Sequence, residues 1–194
     1  MTADPMHLDA AVLADYWLGA LDAVEEARVE EHVFACGDCA ALLDEVRAMA
    51  EGVRQVARSG VLMTTVSQEF LEYAKAEGLQ IRQYAPPVGG SVQCTVSAED
   101  DFLIGRLEVD LREAKRVDLS LCGLDGSEQF RLTDIPFSHD DDAVLWQMSI
   151  RFAKAAPTSS MVAKLVNVDE SGTQSVMGEY TFHHTRTLPG PGAW

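Results

Sequence analysis

The residues best suited to chemistry are His32, Cys36 and Cys39, spaced H-x3-C-x2-C. Imidazole nitrogen and thiolate sulfur are the ligands that tetrahedral zinc takes. Positions i and i+4 of a helix share a face, so His32 and Cys36 can converge on one ion. Gly37 then lets the chain turn, and Cys39 arrives three residues after Cys36, at the start of the next helix. A fourth ligand is needed, and His7 is the one other histidine or cysteine in the first 78 residues. It lies just before the first helix, where an antiparallel return brings it alongside the second. The expected site is His7, His32, Cys36 and Cys39 around one zinc ion per chain. Four filled positions leave no place for a catalytic water, so the ion is structural.

Other constellations offer less. His183 and His184 are adjacent, so on a strand they point to opposite faces and cannot share an ion. With His139 they read as surface or capping residues. Asp140, Asp141 and Asp142 lack the ligand loop of a calcium site and read as an exposed turn. Cys94 and Cys122 fall in apolar strand patterns and are expected to be buried packing residues. Trp17 and Trp146 are expected as core aromatics. No nucleophile elbow, phosphate loop or dinucleotide motif is present, so the chain is not expected to be an enzyme.

The elements that hold these residues change character along the chain. Leu8, Val12 and Tyr16 recur at helical spacing and predict a first helix ending near Gly19. Asp22 caps a second, which Gly37 breaks. Leu42, Val46, Met49, Val53 and Val56, at spacings of 4, 3, 4 and 3, form a narrow seam along a long third helix. Ser67 caps a fourth with Phe70 and Tyr73 on one face, stopped by Gly78. Beyond it, Pro86-Pro87 and Gly89-Gly90 punctuate a shift to two-residue alternation, and about eight segments read as strands. The expected class is α+β, with a helical domain over 1–78 (three helices plus a separate fourth), an antiparallel β-sandwich or jelly roll over 79–187 and a loose tail over 188–194.

Composition bounds the partners. The chain has 194 residues, 31 acids against 15 bases and a net charge of -16, which disfavours direct nucleic-acid binding. Apolar runs are far shorter than the ~20 residues of a membrane helix, and the N-terminus lacks the basic segment of a secretory signal. A cytoplasmic protein is expected, whose thiols serve as ligands or packing groups rather than disulfides.

The segment HLDAAVLADYWLGALDAVEEARVEEHVFACGDCAALLDEVRAM resembles the zinc-binding anti-sigma domain of bacteria. A short helix ending in LADYWLGALD precedes a Glu-rich helix that leads into the motif, in the family's order. The resemblance covers about residues 7–57. It implies a sigma factor of the extracytoplasmic-function type as partner, three helices around the metal, and a fourth helix over 67–77 that completes the clamp. Redox-switching members carry a cysteine where this chain has His7, so that switch is not expected. Control is expected instead from the β domain, which also offers sheet edges for a homodimer. The other reading is a zinc-stapled scaffold or small-ligand-binding protein with no sigma partner. On the sigma reading, Leu42, Val46, Met49, Val53, Val56, Phe70 and Tyr73 form the partner surface.

Overall fold

The computed structural model describes residues 7–188, except the Arg58 side chain. Asp9 opens the first helix, its carboxylate accepting from the Ala11 N–H at 2.8 Å. Helix α1 (Ala10–Leu18) ends where Gly19 takes a left-handed φ of 67°. Asp22 caps α2 (Ala23–Ala35) by accepting from the Val24 and Glu25 N–H groups. Helix α3 (Gly37–Arg58) follows almost at once and ends before Gly60, whose φ is 70°.

The chain divides into compact units between Arg58 and Ser59. The helical unit has a very small core: Leu13, Val29 and Cys39 are its fully buried apolar residues among those described. Around them the Arg47 guanidinium lies 5.1 Å from the Trp17 ring centroid, and the Tyr16 hydroxyl donates to Glu30 at 3.3 Å.

The second unit holds β1 (Thr64–Val66), α4 (Gln68–Ala76), β2 (Ile81–Tyr84), β3 (Ser91–Cys94), β4 (Phe102–Glu108), β5 (Arg116–Cys122), β6 (Glu128–Leu132), β7 (Ala143–Met148), α5 (Ile150–Ala155), β8 (Ser159–Val168) and β9 (Gln174–His184). One sheet has the order β1-β7-β4-β2, the other β3-β9-β8-β5-β6. Inward-facing side chains of both form one core. Trp146 meets Phe182 edge-on at 5.9 Å, beside the wholly buried Leu107, Leu119, Leu165 and Tyr180. Strand β4 is buried on both faces: Leu103 and Leu107 face away from α4, while Phe102 and Ile104 pack with Leu71 and Ala74 of α4.

Four features differ from the sequence reading. The division falls at Arg58/Ser59 and not at Gly78, because β1 and α4 pack with the sheets. Helix α4 thus belongs to the β unit and not to the helical one: Phe70 stacks edge-on against Phe102 at 5.6 Å. The sandwich is mixed, since β2 pairs parallel to β4 and β3 parallel to β9. Two-residue alternation sets which face a residue takes but carries no strand direction. Among the segments whose alternation reads as strand, AVLWQMSIRFA (143–153) breaks at Ser149, whose hydroxyl accepts from the Phe152 N–H and starts α5. The expected tail lies outside the described residues from 189 onward.

Candidate metal centre

The break between α2 and α3 builds the site. The Cys36 N–H donates to the His32 carbonyl at 2.8 Å, the last bond of α2. Cys36 itself is extended, with φ -120° and ψ 108°. Its carbonyl then accepts from the Ala40 N–H at 3.1 Å, starting α3 with Cys39 in the first turn, where it is 1% exposed. A helix N-terminus favours negative charge, and thiolate is the form that binds metal. The Cys36 thiol is pulled below its ordinary value, chiefly by the Cys39 backbone N–H, with contributions from the Cys39 and His7 side chains.

The segment before α1 supplies the third ligand. The Leu8 N–H donates to Cys39 Sγ at 3.3 Å, which holds His7 over the break. His7 Nδ1 lies 3.5 Å from Cys36 Sγ and 3.6 Å from Cys39 Sγ. Zinc bonded to sulfur at about 2.3 Å and nitrogen at about 2.0 Å in tetrahedral geometry sets those atoms about 3.6 Å apart. Both His7-to-thiol separations therefore match edges of a tetrahedral zinc site. The other ring nitrogen of His7, Nε2, is 3.9 Å from Asp38 Oδ2, a carboxylate placed to orient the ring.

His32 does not join that group: His7, Cys36 and Cys39 alone bring ligand atoms within 4.8 Å of one another among the described residues. The i, i+4 convergence assumes a continuous helix, and the extended Cys36 breaks it. Nevertheless His32 Nε2 is buried without a hydrogen-bond partner, as a vacant fourth donor would be. The donor chemistry and this orphaned nitrogen both fit a metal in a helical unit with little else in its core.

The partner residues divide. Leu42 and Val46 are half-buried, whereas Met49, Val53 and Val56 are 71%, 60% and 46% exposed, an apolar stripe on the distal part of α3. On α4, Tyr73 is exposed and Phe70 is taken up by the β unit. The sequence reading missed Asp38, which lies between the two cysteines, and Phe34 of α2, 91% exposed. Among the described residues no helix is long and apolar enough to cross a membrane.

Residues 11–40 match the family model described as "Putative zinc-finger", the family of zinc-binding anti-sigma factor N-terminal domains. None of the curated proteins matches the chain. Among solved structures, CopC from Methylosinus trichosporium OB3b is 15% identical, covering 50% of this chain and 87% of its own, with a TM-score of 0.29. A likeness that weak carries no argument.

Proposed function

We propose that this chain, whose N-terminal helices carry the zinc finger of the anti-sigma family, is itself an anti-sigma factor. It holds one zinc ion through His7, Cys36, Cys39 and His32, and sequesters a sigma factor of the extracytoplasmic-function type. It acts in the cytoplasm by binding and not by catalysis. The observation that carries this reading is the convergence of His7 on Cys36 and Cys39, the two cysteines that lie within the matched residues 11–40. When bound, zinc staples the N-terminal segment, α2 and α3 together, supplying the folding free energy that so small a core lacks.

The exposed stripe Met49, Val53 and Val56 gives sigma an apolar groove partner. Residues 1–78 carry 15 acids and five bases, which complements the basic faces that a sigma factor turns to promoter DNA. The β unit adjusts how tightly the helical unit holds sigma. In transcription from a sigma-dependent promoter, zinc-loaded protein should stop initiation by core polymerase with that sigma, and Met49→Glu/Val53→Glu should restore it. Undiminished transcription at saturating wild-type protein would end this reading.

A further inference from the structure

The β unit has a cavity of about 300 Å³, open to solvent on one side, that the metal site does not use. Leu103, Trp146 and Met148 line it from one sheet, and Met161, Phe182 and His184 from the other. That volume is roughly twice the ~150 Å³ apolar void that takes up benzene, so it admits one or two rings. A single soft cation would leave most of it empty.

Its polar lining is Trp146, His184, Gln129, Ser149 and Ser159, beside the thiol of Cys94. The Trp146 Nε1–H and His184 Nε2 are both buried without a hydrogen-bond partner. An unmet buried donor or acceptor is costly, and such groups commonly mark where something else binds. Burial keeps His184 below the ordinary imidazole value, and a hydrogen bond to the Ala156 backbone occupies its other nitrogen. Its neutral ring therefore presents an Nε2 lone pair. No Asp, Glu, Lys or Arg lines the cavity, so a charged ligand would be buried without a counterion. Cys94 sits beside His184 in register across β3 and β9, and its buried thiol, pushed up by desolvation, stays neutral too.

We infer that this cavity binds a small uncharged aromatic or alicyclic molecule bearing one hydroxyl, which accepts from Trp146 Nε1–H and donates to His184 Nε2. The inference concerns the β unit alone and stands whether or not the helical unit binds sigma. The exposed Phe152 on α5 and Ser159 at the start of β8 also line the cavity, Phe152 being 65% exposed.

Calorimetric titration of the full zinc-loaded chain with 2-naphthol tests it, with 2-naphthoate as the charged counterpart of similar size. The expected result is saturable 1:1 binding of the naphthol, with naphthoate at least roughly tenfold weaker. Trp146→Phe keeps the ring but removes the donor, and should weaken binding roughly five- to tenfold. Ser159→Trp places bulk at an exposed lining position, where folding is least at risk, and should abolish binding while leaving the unfolding temperature unchanged. Non-saturable uptake by the wild type, equal binding of naphthoate, or full affinity in Ser159→Trp would each overturn the proposal.

Discussion

Cys39 would serve the helical unit twice, as the proposed metal ligand and as one of the three fully buried apolar residues among those described there. Its replacement by serine should cost both metal affinity and folding, whereas His7→Ala, at a half-exposed ring, should cost chiefly the metal. Each should weaken zinc binding by at least about a hundredfold, read by competition with a chromophoric chelator. In the β unit the telling residue is Asp118, whose carboxylate is 2% exposed. Burial alone would raise its pKa, but the Asp134 N–H at 3.0 Å and the Arg131 and Arg116 guanidiniums at 3.1 and 3.4 Å hold it below the usual carboxylate range. A depressed folded value contributes stability above about pH 3.9, lost as pH falls from there through the folded value. Asp118→Asn should destabilise the β unit by about 3 kcal/mol near neutral pH, and the gap to wild type should close in that acid window. Paired thermal melts across pH measure it.

At the level of elements, helix ends were readable because their signals are local. Asp22 and Ser67 cap where a short polar side chain precedes an amphipathic run, and Gly19 stops α1 with a positive φ. What α4 packs against was not readable: Phe70, Leu71 and Ala74 announce an apolar face but not its partner, which is strand β4. Leu71, 1% exposed, is the anchor, so Leu71→Ala should destabilise the β unit by about 3 kcal/mol in denaturant melts and leave zinc content unchanged. Strand direction was hidden for the same reason as in β2 and β3, whose partners are chosen by how the chain crosses between sheets. The distal part of α3 is the converse: Met49, Val53 and Val56 read as a packing seam from sequence, and within the described residues they stand exposed.

For the molecule as a whole, the two units rest on different forces. On the proposed reading the helical unit leans on a metal, whereas the β unit has a continuous apolar core. Chelation should therefore collapse amide-exchange protection in residues 10–58 and leave the strands protected; loss of protection in both would mean that the units fold as one. His7, Cys36 and Cys39 were legible from spacing and context. The displacement of His32 was not, because it follows from the extended backbone at Cys36.

A zinc-held helical unit that sequesters a sigma factor must form a stable complex with it. Native mass spectrometry of the chain mixed with an extracytoplasmic-function sigma factor from the same genome tests it most directly. The expected result is a 1:1 complex carrying one zinc ion in this chain, lost when His7, Cys36 or Cys39 is replaced and weakened at least about tenfold by Met49→Glu/Val53→Glu. A zinc-loaded, folded chain that forms no complex with any such sigma factor, or a complex indifferent to the metal ligands, would contradict it.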